Sequence, residues 1–375
     1  KVMILMIIDA ILVCYTVFIM LIIIKTTIKQ KRPPNKHLKD ENFPDLSIVI
    51  PFRNEENHLL PLISSLSDQV YPGAVEIVLI DDQSDDNSEN VIQKCIPSCR
   101  HEITLLKTNF NDSVNLTSKQ QAINTGITAS KHDAIVFTDA DMLFEPDWLY
   151  SMGEQLSNGA DLVFGRSSIY TDNKNMFTLF QAFQLDFLFS VAYCFFHSGI
   201  TGSCMGNNMA ISRIKYFDIG GYSSTGYSIV EDRALFAQFK RHHLICRITT
   251  PFYSKAYTYP CTTFSQFYHQ MQRWARGGLS AKSILMPLGI LFAFQNVIFC
   301  LSIPGLLAPT STIIAAFNFL LTWVLTAVSF RYVKSGCNSI FFPLFYCILI
   351  IESIIFAGSL LFSRSIQWKG RLITK

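Results

Sequence analysis

Three short apolar runs in this chain each stop at a polar or acidic cluster. Leu46-Ser-Ile-Val-Ile50 runs into Pro51-Phe-Arg-Asn-Glu-Glu, Val75-Glu-Ile-Val-Leu-Ile80 into Asp81-Asp82, and Ile135-Val-Phe-Thr138 into Asp139-Ala-Asp141. Runs of this length bounded by such breaks read as buried strands. Leu59, Leu60, Ile63 and Leu66 follow the first at helical spacing, a helix is expected after Ser88, and Ser118-Lys-Gln-Gln-Ala-Ile-Asn124 starts another. A further strand is expected near Ile103–Leu106. Strands alternating with helices predict a mainly parallel α/β sheet. Parallel strands end on one edge, so the residues near 51, 81 and 139 are expected together where open α/β sheets bind ligands.

The chemistry expected at that edge follows from its residues. Asp139 and Asp141 deliver two carboxylates that can hold a hard divalent cation, and the cation can hold a diphosphate. Asp-x-Asp also occurs in turns and helix caps, so the pair needs support from the rest of the chain. Asp81, Asp82, Asp85 and Asp86 put four carboxylates into six residues. Helix capping accounts for one or two. The others repel unless a cation, or donors such as a base and ribose hydroxyls, compensate them.

The termini have a different character. Only 16% of the residues are charged, against roughly 25% in soluble domains, and the deficit is local. From Val2 to Ile24 only Asp9 is charged, long enough to cross a hydrocarbon core of about 30 Å. No small-x-small cleavage site follows, so residues 1–24 are expected to be a transmembrane anchor. Residues 25–45 form a Pro-containing basic linker, and 46–262 a segment of the size of one catalytic domain. Apolar stretches at about 283–306, 311–329 and 339–362 are expected to be transmembrane or interfacial helices, and 363–375 is a basic tail. Lys25, Lys29, Lys31, Arg32, Lys36 and Lys39 after the first segment put the domain in the cytoplasm of a multi-pass membrane protein. Arg364, Lys369, Arg371 and Lys375 would then lie outside after four crossings, which favours a non-crossing stretch, best 283–306. The ten cysteines are scattered, and Cys95, Cys99 and His101 lack a second pair to complete a zinc pattern. Reduced, buried thiols are expected.

Residues 263–282 read as an amphipathic helix at the membrane interface. Gln270, Arg273 and Trp274, at i, i+3 and i+4, share one face. The guanidinium suits a diphosphate, and the indole can stack on a sugar. Met176 to Ser198 is rich in Phe but carries Asp186, costly in lipid. It is expected to be a core helix; the alternative is a membrane-dipping helix that admits a lipid. His197 to Gly206 is a Gly-rich loop that precedes no helix in a nucleotide-binding pattern.

Taken in order, Ser47-Ile-Val-Ile-Pro-Phe-Arg-Asn-Glu-Glu56, Ile80-Asp-Asp-Gln-Ser-Asp-Asp86, Lys119–Asn124, Thr138-Asp-Ala-Asp141, Gly206-Asn-Asn-Met-Ala210, Val230-Glu-Asp232 and Gln270-Met-Gln-Arg-Trp274 resemble the family 2 glycosyltransferases of GT-A fold. The resemblance covers about residues 46–280. Gln83 departs from it, since the family usually has Gly there. The resemblance implies an α/β GT-A domain with N- and C-terminal transmembrane helices. It implies that Asn54, Glu55, Asp82, Lys119, Asp139 and Arg273 bind the nucleotide-sugar donor, with Asp82 at the uracil. Asp141, with Asp139, would bind Mg²⁺ or Mn²⁺. Asp232 would be the general base of an inverting transfer, with Glu231 beside it positioning the acceptor or raising the base's pKa. Read alone, Asp232 is an acid at a helix start. Gln270 and Trp274 would face the acceptor.

The expected partners are a nucleotide sugar, UDP-linked, a membrane lipid or lipid-linked acceptor, and the membrane itself, with no nucleic acid. Gln-x-x-Arg-Trp is shared by processive polysaccharide synthases and by single-transfer lipid glycosyltransferases resembling ceramide and carotenoid glucosyltransferases. The small membrane part and the tail Gln367-Trp-Lys-Gly-Arg371 favour the lipid class. A nucleotidyltransferase would need a Gly-rich loop where Pro51-Phe-Arg-Asn-Glu stands, and a non-catalytic scaffold has no need to keep both Asp141 and Asp232.

Overall fold

The computed structural model describes residues 2–29, 43–171, 175–200, 202–249, 255–280, 285–333, 335–362, 365–368 and 371–374. Most of the predicted basic linker, and Arg364, Lys369 and Lys375 of the tail, lie outside the described residues. Helix α1 (Val2–Lys29) comes first. Strands β1 (Leu46–Phe52), β2 (Val75–Asp81), β3 (Glu102–Lys107) and β4 (Ala134–Phe137) follow, with helices α2 (Leu59–Ser67), α3 (Ser88–Cys95) and α4 (Ser118–Ala129) between them. All four strands run parallel, in the order β3-β2-β1-β4, with Ile48 opposite both Ile77 and Val136. The expected convergence therefore holds: β1, β2 and β4 end on one edge.

The second half departs from simple alternation. Here lie β5 (Met142–Phe144), α5 (Trp148–Ser157), β6 (Leu162–Phe164), β7 (Ser167–Ile169), α6 (Met176–His197) and β8 (Met209–Ser212). Next come α7 (Arg213–Asp218), α8 (Gly221–Thr225), α9 (Glu231–Arg241), β9 (Cys246–Ile248) and β10 (Ala256–Thr258). Strand β8 enters antiparallel beside β4, β6 pairs antiparallel with β8, and β9 lies parallel to β6. The sheet thus has seven strands, and β5, β10 and β7 form a small second sheet. Alternation along the strands splits the core in two. Ile48, Ile50, Ile77 and Leu79 pack against α2, α3 and α5. Val49, Val78 and Ile80 pack with α4, α9 and one face of α6.

The remaining elements are α10 (Phe264–Ser280), α11 (Leu285–Ser302), α12 (Pro309–Tyr332), α13 (Phe342–Phe362), and an antiparallel hairpin of β11 (Ser365–Trp368) and β12 (Arg371–Thr374). Among the described residues, α1 from Met6 to Thr27, α6 and α12 are long and apolar enough to cross a membrane. The N- and C-terminal helices are one assembly, because α1 packs on both α12 and α6. Some of their polar side chains pair across the helices. Asp9 of α1 accepts from Ser311 Oγ (2.6 Å) and Thr310 Oγ1 (3.1 Å) at the start of α12, which offsets the orphaned N–H groups of that helix end. Asn318 of α12 accepts from Thr16 of α1 (2.6 Å) and donates to Gln295 of α11 (3.1 Å).

Helix α6 is packed on most sides, as expected of a core helix. Its Asp186 is 2% exposed and forms a two-pronged ion pair with Arg166, from the β6–β7 turn, at 2.9 Å on each prong. Ser168 and Ser335 also donate to it, and Arg166 donates to the Val333 carbonyl. The cost of a buried charge is met by a full set of partners, and the pair ties the sheet to the α12–α13 loop. The apolar side of α10 is in part turned onto protein rather than outward. Phe267 and Met271 pack with Phe180 and Phe183 of α6 and Phe345 of α13. The tail hairpin lies beside α10.

Candidate active site

Strand β4 ends at Phe137. Thr138 then ties the exit of the strand to the loop before β8, its hydroxyl donating to the Asn207 carbonyl at 3.0 Å. Asp139 and Asp141 follow and line a cavity of about 420 Å³. Lys119, from the first turn of α4, lines it too, as do Glu231 and Asp232, which open α9. Gln270, Arg273 and Trp274 of α10 line another wall from their common face. Leu185, Leu188 and Phe189 of α6 make a further wall apolar. Eight of the predicted site residues therefore share one cavity.

Lys119 is the electrostatic centre. Its Nζ lies 2.7 Å from Asp139 Oδ1 and 2.8 Å from Glu231 Oε1, linking the end of β4 to the start of α9. Burial alone would lower the pKa of this ammonium; the two carboxylates outweigh it and hold the pKa above the ordinary lysine value. Asp232 accepts from the Gly206 N–H at 2.7 Å and from the Arg233 N–H at 2.6 Å. Burial, and then the charge of Glu231, push its carboxyl up from 3.8 to about 6, against the pull of those hydrogen bonds and of Lys119. A carboxylate so raised is matched to taking a proton near neutral pH. Two acids in the first turn of α9 also suit the positive end of its dipole.

Gly206 is required by contact. A Cβ there would sit 2.4 Å from Asp232 Cβ and 2.7 Å from its Oδ2. The Gly206-Asn-Asn208 motif otherwise works as scaffold. Asn208 accepts from Trp148 Nε1 (2.9 Å) and donates to the Arg166 carbonyl (2.7 Å), while Asn207 accepts from Ser167 Oγ (2.8 Å).

Asn54, Glu55 and Asp82 stand outside this cavity, on the same sheet edge. Asn54 has φ of 54°; its side chain accepts from the Asp85 N–H at 2.8 Å and its own N–H donates to Ser84 Oγ. Glu55 is buried, with His58 Nδ1 at 2.6 Å from its carboxylate. Asp82 is buried and accepts from Ser118 Oγ, the neighbour of Lys119. The four-carboxylate cluster is compensated differently from the expectation. Asp81 accepts from the Ser84 N–H (2.8 Å), Asp86 from those of Glu56 and Ser88 (3.0 Å each), and Asp85 pairs with Arg53 (3.2 Å). These three thus find partners within their own loop and in the loop that follows β1. Gln83 has φ of 60°, in the left-handed region that favours glycine, so this departure from Gly carries backbone strain.

Among the described residues, no three His, Cys, Asp or Glu side chains gather as a ready-made metal site. Asp139 and Asp141 remain as two hard oxygen donors at the cavity wall. That set fits Mg²⁺ or Mn²⁺ shared with a diphosphate, which needs only one or two protein carboxylates, and does not fit a structural zinc. All ten cysteines are free thiols. Sequence reasoning missed the Gly206 contact with Asp232 and the bridging role of Lys119. Gly206 stands inside a motif the sequence singles out, but its reason is a contact across the fold. Arg166, which anchors α6, carries no local signal at all.

The profile described as Glycosyl transferase family 2 matches residues 47–220, and that described as Glycosyl transferase family group 2 matches residues 134–361. An uncharacterized glycosyltransferase of Synechocystis is 30% identical over 123 residues, 32% of this chain and 36% of that one. The beta-monoglucosyldiacylglycerol synthase of Trichormus variabilis is 26% identical over 243 residues, 63% of this chain and 49% of that one. The matches thus span between about a third and a half of those relatives. The solved structure of mannosyltransferase PcManGT from Pyrobaculum calidifontis, in complex with GDP-Man and Mn²⁺, aligns with 95% of this chain and 99% of its own at a TM-score of 0.53. At 15% identity that likeness concerns the fold alone.

Proposed function

Because the chain belongs to the family 2 glycosyltransferases and has their GT-A fold, we propose that it transfers a hexose from a UDP-sugar to a lipid or lipid-linked acceptor, with inversion. The observation that carries this reading is the composition of the main cavity. One wall holds Lys119, Asp139, Asp141, Glu231 and Asp232, and another holds apolar side chains of α6. A sugar diphosphate suits the first wall when a divalent cation offsets its four carboxylates, and a lipid headgroup suits the junction of the two. The name of the diacylglycerol-glucosylating relative supports a lipid acceptor, and the Mn²⁺ in the mannosyltransferase complex supports a divalent metal.

In this reading Asp232 takes the proton of the acceptor hydroxyl as that oxygen attacks the anomeric carbon from the face opposite the nucleotide. The C–O bond to the diphosphate breaks, and the nucleoside diphosphate leaves with the bonding pair. Glu231 keeps Asp232 basic and holds Lys119. Lys119 and Arg273 set positive charge beside the departing diphosphate. Asp139 and Asp141 would hold Mg²⁺ or Mn²⁺, which supplies charge neutralisation on the leaving group. Gln270 and Trp274 hold the acceptor side, and Asn54, Glu55 and Asp82 the nucleoside side, reached through the Asp82–Ser118 contact next to Lys119. The positive charges that follow the first apolar segment, Lys25 and Lys29 among them, support a domain on the cytoplasmic face of the cell membrane.

The test is to incubate membranes containing the protein with radiolabelled UDP-sugars and Mn²⁺ and to separate the products. Label in a chloroform-soluble glycolipid, with release of UDP, is expected. A long chloroform-insoluble polymer, or release of pyrophosphate, contradicts the proposal.

A further inference from the structure

The catalytic cavity has a neighbour across one edge of α6. Side chains of α1, α6, α11 and α12 line a second, partly open cavity of about 260 Å³, with no charged residue in its lining among the described residues. Leu188, Val191 and Phe195 line both cavities. Their i, i+3, i+7 spacing places them on one stripe of the helix, which borders both spaces. The hydroxyls of Thr322, Thr326 and Ser329, which face the second cavity, already have partners within the helices. The Ser190 hydroxyl does not: it is buried in the same wall with no partner among the described residues. The lining is otherwise nearly apolar, so an ordered water would find few partners besides Ser190 and the lone pairs left on neighbouring hydroxyls. An apolar molecule with one carbonyl group fits better.

We propose that this cavity holds a hydrocarbon chain of the acceptor lipid, with the Ser190 hydroxyl donating to its ester or amide carbonyl. The inference rests on the reading that the acceptor is a lipid. The reacting hydroxyl then lies beyond the Leu188–Phe195 stripe, in the cavity with Asp232, while the chain fills the space between α1, α6, α11 and α12. The hydrocarbon thus fixes the position of the headgroup, and the helices at the two ends of the sequence become part of the substrate site.

Gly289 offers the test. It lines the second cavity, and a Cβ added there meets nothing within 4 Å, so Gly289→Phe fills the space without a local clash. The full chain in nanodiscs is assayed with acceptors of one headgroup and increasing chain length. For the unaltered protein, kcat/KM is expected to rise with chain length until the cavity is filled and then level off. The chain leaves bilayer hydrocarbon rather than water, so each methylene contributes through packing and adds less than the roughly fourfold of transfer from water. Gly289→Phe is expected to flatten that rise and to cost the long-chain acceptors about tenfold or more. The short-chain acceptors and the KM for the donor are expected to stay unchanged. Ser190→Ala, a smaller change, is expected to abolish any preference for ester-linked over ether-linked acceptors. A Gly289→Phe protein that binds donor normally and keeps the full chain-length dependence overturns the proposal and leaves the lipid reading standing; it assigns the cavity to a resident bilayer lipid. If the unaltered protein glycosylates no lipid of any length but still consumes donor, the lipid reading itself has failed.

Discussion

Two acidic clusters on one sheet edge look alike in sequence and differ in the folded chain. At the end of β2, Asp86 is held by backbone N–H groups from Glu56 and Ser88. Burial works against its charge, yet the hydrogen bonds outweigh it and keep its pKa below the ordinary 3.8. At the start of α9, Asp232 also accepts two N–H groups, but deeper burial and the charge of Glu231 raise its pKa to about 6. The first environment makes a brace that stays ionised. The second makes a carboxylate that can exchange a proton under working conditions. Both carboxylates accept backbone N–H groups, so what separates them is depth of burial and a like charge alongside.

Substitutions can break this comparison, and the largest effect belongs to the cavity cluster. Asp141→Ala is expected to abolish metal-dependent nucleotide-sugar binding and to cost several kcal/mol of transition-state stabilisation, about 10³-fold in kcat/KM. Titration calorimetry with UDP-sugars and Mn²⁺, beside initial rates, checks it. Gly206→Ala comes next. The new Cβ must displace Asp232, and a shift of about 1 Å at a reacting group costs about 10²-fold. Donor affinity should be kept while kcat falls.

The raised pKa of Asp232 gives the third test. A base acts deprotonated, so the rate should fall as pH drops below about 6. Glu231→Gln removes the like charge, lowers the pKa of Asp232 and moves that acidic limb to lower pH; kcat/KM against pH for both proteins reads the shift. The smallest effect belongs to the other cluster. Asp86→Ala removes two hydrogen bonds that water can replace in part and should cost about 1 kcal/mol of stability or less. Thermal unfolding would show it, and the kinetic constants of the folded fraction should be nearly unchanged. The contribution of Asp86 is present above the ordinary carboxylate range and is lost as pH falls through its lowered pKa.

The parallel half of the fold was legible because its signals are local. The ends of β1, β2 and β4, and the shared face of Gln270, Arg273 and Trp274, follow from residue spacing. The antiparallel entry of β8 beside β4 and the hairpin of the tail were not legible, because pairing partners far apart in sequence leave no periodic trace. Asp186 shows the same limit. By composition it is an awkward charge in an apolar helix, and only the fold reveals Arg166 and Ser335 around it. The acids of the β2 loop read as ligand-binding for a related reason. Asp81 and Asp86 take their donors from the backbone, which the sequence does not distinguish from one residue to the next, and Asp82 and Asp85 take theirs from Ser118 and Arg53, far away in the chain.

The most direct test of the account is Asp232→Asn, with donor binding and sugar transfer measured side by side on the same membranes. The amide has nearly the same size, gives up one of the two N–H hydrogen bonds that Asp232 accepts, and cannot take the proton. The account predicts UDP-sugar affinity within about threefold of the unaltered protein and glycolipid formation slower by about 10²–10⁴-fold. Normal turnover by Asp232→Asn would contradict it and remove this carboxylate from the chemistry.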